Sequence, residues 1–321
     1  MNLVKNLPWQ RMMPLLALVI LVILSAISSE NFLKIENITN VLKQVSYTGV
    51  IAIGMTFVIV AAGIDLSVGS MVALTGIVSM MLFNKLFGYE GAPLGEGPAI
   101  SIYVCLCILM GLILGAVNGL LITVGRIAAF VATLATMSIF RSLAIYSSEA
   151  ETITVDNDNF YAIGGAEFLG IPHPVIGFFL LAILGHFLLN NTSFGRHVCA
   201  VGSNEEVARF SAISVKRTQF FTYVIAGFCV GITTLMLDTR MSSVTGGESG
   251  VFFELDAIAA VVIGGTALSG GRGTIIGTVI GALILGIIDN MMNLAKIQSY
   301  LQGTVKGCVI LVAVLAQYKR R

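Results

Sequence analysis

Between residues 51 and 83 the chain is apolar enough to lie in a bilayer. Yet the middle of that stretch reads Gly63-Ile64-Asp65-Leu66-Ser67-Val68-Gly69-Ser70, a carboxylate framed by glycines. An unpaired acid at the centre of a spanning helix costs about 2.5–3.5 kcal/mol on insertion scales, and irregular backbone at that depth must be buried in protein or face a water-filled cavity. Asp65 therefore needs a reason that the rest of the chain has to supply. Only 11% of the 321 residues are charged and 56% are hydrophobic, against roughly 25% charged in a soluble domain. The composition is that of an integral membrane protein.

Runs of about 17 to 25 apolar residues match the hydrocarbon core. Ten are legible, near 12–28, 39–61, 67–87, 98–123, 128–147, 173–190, 218–238, 252–268, 274–293 and 298–316. The chain is thus expected to be all-α, a polytopic membrane protein of about ten transmembrane helices forming one domain over residues 1–321. The first run follows Lys5 and Arg11 and ends in Ser25-Ala26-Ile27-Ser28, a faint likeness to a cleaved signal; an uncleaved first span is expected because so many spans follow. With the N-terminus inside, Lys5, Arg11, Arg126, Arg196, Arg209, Lys216, Arg217, Arg272, Lys319, Arg320 and Arg321 collect on the inner face, 11 of the 18 basic residues. Glu30, Glu36, Glu90, Glu96, Glu149, Glu151, Asp156, Asp158, Glu167 and Glu248 fall outside. The positive-inside rule then puts both termini in the cytoplasm.

Two long loops differ in kind. Residues 148–172 form an acidic outer segment, suited either to a partner or to solvation. Residues 191–217 form an inner segment in which Asn204 is a good N-cap, with Glu205 and Glu206 in the first turn of a short surface helix. Gly111, Gly115 and Gly119 recur every four residues, as do Gly273, Gly277 and Gly281, and such small-residue stripes let helix backbones approach closely. Residues 59–69 and 261–271 echo one another, sharing Val, Gly, Leu, Ser and Gly. The match is either an internal repeat or chance between two glycine-rich turns.

Several chemistries are excluded. No lysine is followed by Ser or Thr, so the phosphate-binding loop of an ATPase is absent from the chain. The net charge of +1 gives no footing for nucleic acid. His173, His186 and His197 fit no zinc spacing, no Gly-x-Ser-x-Gly elbow exists, and five scattered cysteines are packing residues. What remains is a set of polar residues at membrane depth: Asp65, Asn118, Arg141, Asp238, Arg240, Glu254, Asp256, Asp289, Asn290 and Lys306. Such groups face a bundle interior or an aqueous route and pair where they can. Asp238 with Arg240 is expected to be an interfacial pair, and Asp289 with Lys306 a candidate buried pair. Glu254 and Asp256 start an otherwise apolar helix, either to cap it or to form a polar lip over a pathway. There is no acid relay or arginine ladder of the kind that ion pumps and voltage sensors carry, so a neutral polar cargo fits better than an ion.

Four stretches carry a family resemblance: Gly54-Met55-Thr56-Phe57-Val58-Ile59 leading into Gly63–Ser70; Phe194-Gly195-Arg196; Gly202-x-Asn204-Glu205 with Ala208-Arg209; and Glu254-Leu255-Asp256-Ala257-Ile258-Ala259-Ala260 running to Thr266. From about residue 30 onward the chain resembles the permease subunits of ribose-type sugar importers powered by ATP-binding cassettes. The resemblance implies a type II ABC importer permease-like bundle in the bacterial plasma (inner) membrane. It also implies a soluble sugar-binding protein outside, a second permease chain, and a cassette ATPase that carries ATP-Mg; no cofactor belongs to this chain. Residues 193–213 become the coupling segment, with Arg196, Asn204, Glu205, Ala208 and Arg209 directed to the ATPase. The pathway or gate candidates are Asp65, Ser67, Asn118, Glu254 and Asp256. One departure is local: the family usually carries alanine where Val207 stands and glycine where Ala212 stands. A permease for branched-chain amino acids is the nearest alternative, and an ion-coupled secondary sugar transporter the next. Topology moves Asp65 to the inner end of its span, which favours a role in holding a turn over direct contact with sugar.

Overall fold

The computed structural model describes residues 9–87 and 93–318. Lys5, Glu90, Lys319, Arg320 and Arg321, used above for orientation, lie outside the described residues. The helices are α1 (Trp9–Ser28), α2 (Ile35–Val60), α3 (Val68–Phe87), α4 (Glu96–Thr123), α5 (Ala129–Ser147), α6 (Asp158–Gly165), α7 (His173–Asn191), α8 (Ser193–Ser203), α9 (Glu205–Phe210), α10 (Val215–Met241), α11 (Phe253–Ile263), α12 (Ile275–Leu294) and α13 (Ser299–Tyr318). Four short strands accompany them: β1 (Thr152–Thr154), β2 (Glu167–Phe168), β3 (Ile171–Pro172) and β4 (Ser243–Thr245).

Seven helices among the described residues are long and apolar enough to cross a membrane: α2, α3, α4, α5, α7, α10 and α12. The expected count of about ten spans is not reached by that measure. The clearest departure is 252–268, read as a full span. Only the 11 residues Phe253–Ile263 are helical there, a length of about 17 Å at 1.5 Å per residue, half of a hydrocarbon core of about 30 Å. Hydropathy is blind to this break, because Gly264 and Gly265 count as neutral while they end the helix.

Around α2 the bundle is organised, and nearly every α2 residue from Val45 onward is buried. It packs against α10, α12, α7 and α11. Polar pairs tie α2 to α12: Thr56 and Thr278 hydroxyls lie 2.7 Å apart, and the amides of Asn37 and Asn290 exchange bonds of 3.0 and 2.7 Å. Such interhelical bonds contribute roughly 0.6 kcal/mol each in membrane bundles. Both glycine stripes are close-approach seams. A side chain at Gly111 would strike the Gly227 carbonyl of α10, and one at Gly115 the Tyr223 carbonyl. Gly277 and Gly281 sit on the Gly264 and Ala260 carbonyls of α11.

Residues 148–172 are ordered against the bundle. β1 pairs antiparallel with β4, Ile153 opposite Val244. α6 is capped by Asn157, whose Oδ1 accepts from Phe160 N at 2.7 Å. Phe160 is fully buried against Phe83 and Tyr103. The bundle thus has a strand end, carrying α6 and the strands, and an opposite end carrying α8 and α9.

Candidate functional site

At the α8–α9 end of the bundle, α2 stops in a tight turn. Gly63 N donates to Val58 O at 2.9 Å, and Ala62 takes a left-handed φ of 61°. The chain then stays extended until α3, and Asp65 stands in this gap with no solvent exposure. Its Oδ1 accepts from Ser67 N at 2.9 Å and Ser67 Oγ at 2.7 Å. Asn118 Nδ2, from α4, reaches Oδ1 and Oδ2 at 3.4 and 3.3 Å and Ser67 Oγ at 2.7 Å. Thr136 on α5 donates to Asn118 Oδ1 at 2.8 Å. Tyr223 of α10 and Thr133 of α5 both donate to the Ile64 carbonyl. Asp65, Ser67 and Asn118 are therefore brought together, all fully buried. Ser67 sits where an N-cap would, with its hydroxyl directed to Asp65.

A second polar group lies at mid-depth, at the start of α11. After β4 the chain descends along α3: Val244 lies beside Gly76, and the Gly250 carbonyl lies against Gly69 seven residues deeper. This re-entrant segment is held by Arg141 of α5, whose Nη1 donates to Gly246 O at 2.9 Å and Ser249 O at 2.8 Å. A cavity of about 630 Å³ opens between the segment and α5, lined by Ser70, Ser138, Arg141, Ser142, Tyr146 and Glu254 among others. Glu254 is thus on a cavity wall. Asp256, two residues on, turns to the opposite side and pairs with Lys306 of α13, its two oxygens at 3.0 and 3.1 Å from Nζ. Lys306 also holds Asp289 of α12 at 3.0 Å. The candidate pair Asp289–Lys306 is therefore a triad, which accounts for three charges at membrane depth.

The expected Asp238–Arg240 pair does not form. Residues two apart on a helix point about 200° away from each other; Arg240 donates to Tyr47 Oη at 3.2 Å, while Asp238 is buried with Oδ2 lacking a hydrogen-bond partner among the described residues. The five cysteines are free, and Cys107 is buried while Cys105 is exposed, as their two-residue spacing requires.

The segment 193–213 folds as two helices. α8 is capped by Thr192, and α9 by Asn204, whose Oδ1 accepts from Val207 N at 3.0 Å. Arg196 is exposed, and Arg209 pairs with Glu205 at 2.7 Å on the surface. Ala208 does not face outward: it is buried with Val201 and Val215. The outward apolar residues are Val207 and Phe210, 59% and 90% exposed. Sequence reading passed over Phe210, although an aromatic beside Arg209 on a polar helix was visible.

Inward, α8 touches both glycine turns. Gly202 fits against the Val60 carbonyl and Gly271 N, and a Cβ there would strike both. Gly271 N itself donates to Val60 O at 2.8 Å, and Gly270, Gly271 and Ser203 are in close approach. The echoing segments 59–69 and 261–271 thus abut one another, with the end of α8 wedged against both. A cavity of about 910 Å³ lies at this end, lined by Arg126, Glu205, Arg209, Lys216, Gln219 and Tyr223 among others.

A helical bundle with seven apolar membrane-length helices, a half-length helix starting at mid-depth, and surface helices seated on the turns that end its membrane helices has the architecture of a multi-pass membrane permease. The family described as "Branched-chain amino acid transport system / permease component" matches residues 37–314, and the chain belongs to it. It is 45% identical to the ribose import permease protein of Bacillus subtilis, over 97% of this chain and 94% of the relative. Identity to the ribose import permease protein of Haemophilus influenzae is 40%, over 94% and 91%. The D-allose transport system permease protein of Escherichia coli is 36% identical, over 92% and 87%.

Proposed function

We propose that the chain is the transmembrane subunit of an ATP-driven importer for a monosaccharide, working as one of two permease chains with a cassette ATPase inside and a soluble binding protein outside. The sugar reading is supported by the relatives, named for ribose, allose and arabinose at 34–45% identity across nearly the whole chain. The alternative, branched-chain amino acids, rests on the description of the shared family. The mixed lining of the α5 cavity, with serines, a tyrosine, Arg141 and Glu254, suits a neutral hydroxyl-rich cargo. The α8–α9 end is assigned to the cytoplasm of a bacterial inner membrane, because Arg126, Arg196, Arg209, Lys216, Arg217 and Arg272 cluster there.

One observation carries the mechanism: the end of α8 rests on both the Val60 turn and the Gly271 turn. In this reading the ATPase grips α9, nucleotide-driven closure moves α8, and the two turns move with it. The Val60 turn leads through the Asp65 network into α3, and the Gly271 turn leads into α11, whose far end carries Glu254. Asp65, Ser67 and Asn118 hold the inner turn, and Glu254 faces the route between the two permease chains.

Reconstituting the chain with its ATPase and binding protein in liposomes tests this. Uptake of D-ribose, D-allose or L-arabinose should survive collapse of ion gradients and stop when ATP is withheld. Uptake of leucine in place of sugar would move the assignment to amino acids, and uptake driven by an ion gradient would overturn the ATP-driven reading.

A further inference from the structure

Behind the re-entrant segment lies a cavity of about 610 Å³, lined by residues of α2, α10, α11, α12 and α13, separate from the one beside α5 and open to the surface along the exposed Asn40 and Gln44. Val251 and Phe252 line both cavities, so this pair, with Phe252 at a left-handed φ of 67°, is the wall between them. One side of the cavity is a stripe on α2. Asn40, Gln44 and Thr48 recur every four residues, hence on one helix face, and all three line the space. Among the described residues their side chains make no hydrogen bond. Facing them is Asp289, only 8% exposed, whose Oδ1 is buried without a hydrogen-bond partner while Oδ2 holds Lys306.

The charges on the lining cancel. Arg240 and Lys306 stand against Asp256 and Asp289, so neither an anion nor a cation gains a net field. Lys306 already occupies the space between the two carboxylates, which leaves no gap for a metal ion. Unused groups of both kinds, amide and hydroxyl donors and acceptors with one carboxylate oxygen, suit a ligand that both gives and accepts hydrogen bonds. Tyr47, Phe252 and Phe253 supply apolar faces. The volume lies in the range of small-molecule sites.

We propose that this cavity is a binding site for a neutral polyol, the cargo sugar itself, held within each permease chain rather than between the two. The proposal rests on the sugar-import reading above. The site would hold sugar on the α12 side of the Phe252 wall, across from the α5 cavity.

The test uses the full permease pair in phosphatidylcholine nanodiscs, without binding protein or nucleotide, titrated with 13C-labelled D-ribose and read by saturation-transfer NMR. Saturable retention is expected, weakened at least about tenfold in the Gln44→Leu/Thr48→Val double variant, which removes two to three hydrogen-bonding groups. Leu184→Ala, on the exposed face of α7 and in neither cavity, should leave retention unchanged. Absence of saturable retention, equal affinity in the double variant, or an equal loss in Leu184→Ala would each overturn the site. So would a lipid headgroup found by mass spectrometry in the washed complex and not displaced by ribose. Uptake by the complete complex, measured alongside, separates the two readings: no sugar uptake removes the import reading, whereas normal uptake with unchanged retention in the double variant removes this site alone.

Discussion

Ala212 shows how a single residue can go against its own backbone. It follows α9 at a left-handed φ of 59°, where Ala212 N donates to Arg209 O and Ile213 N to Ala208 O, closing the helix in the manner of a glycine C-cap. A side chain costs about 1 kcal/mol there, and the resembling family usually has glycine at this place. Ala212→Gly is expected to stabilise the protein by about 0.5–1 kcal/mol, seen as a higher thermal midpoint of the purified chain; no rise would mean the turn is not strained. Asp65 presents the opposite case, a costly residue with all its partners in place. Asp65→Ala takes the carboxylate acceptor from Ser67 N and Ser67 Oγ, leaving Asn118 Nδ2 only Ser67 Oγ, and should cost about 2–3 kcal/mol. Asp65→Asn keeps an acceptor oxygen and should cost about 1 kcal/mol or less. Denaturant titration gives the order; two equally stable variants with altered sugar selectivity would instead make Asp65 a ligand of the cargo. The irregular backbone around it was legible in sequence because glycines frame it, whereas the bond to Ser67 was not read. Asn118 stood out only as a polar residue in an apolar run and Thr136 was passed over, since nothing in a linear pattern says that α4 and α5 converge on one turn.

Among the elements, those whose physics is local were legible and those whose physics is tertiary were not. Long apolar runs read correctly as α2, α3, α4, α5, α7, α10 and α12, and the Asn204 cap marked α9 to the residue. The half-length of α11 escaped, because the run 252–268 keeps its apolar composition while glycines change its backbone. Asp238 and Arg240 were misjudged for a related reason: adjacency in sequence was taken for adjacency in space, against the helical rotation between them. The wedge formed by α8 needs two turns about 200 residues apart, and only the folded chain brings them together. It yields a prediction at this scale. Gly202→Ala places a methyl group against the Val60 carbonyl and Gly271 N, so backbone must give, at about 1–3 kcal/mol. The variant should still assemble with its ATPase yet transport at least tenfold more slowly per ATP hydrolysed. An unchanged ratio of sugar moved to ATP consumed would show that α8 is not the link.

For the whole molecule, the asymmetry of its two ends matters most. The strand end is closed by β1–β4, α6 and the Arg141-held segment, with Phe160 seated in the bundle. At the other end Phe210 stands 90% exposed beside Val207, ringed by Glu205, Glu206 and Arg209. An exposed aromatic with apolar and charged neighbours is the pattern of an interface anchor, and such anchors commonly carry 2 kcal/mol or more of binding, by order of magnitude. The Glu205–Arg209 pair is exposed on both sides and contributes little to folding, which frees it to serve a partner. Phe210→Asp should therefore leave the thermal midpoint of the isolated chain within about a degree, given that surface substitutions stay within about 0.5 kcal/mol. The same change should weaken association with the cassette ATPase by at least about thirtyfold, measured by co-purification at graded concentrations. Arg209→Glu tests the same face by charge, and there the loss should appear as hydrolysis uncoupled from uptake. Full assembly and sugar-stimulated hydrolysis in both variants would mean that the ATPase docks elsewhere. The contact between α8 and the two glycine turns would then lose its proposed role as the route by which ATP hydrolysis reaches the middle of the membrane.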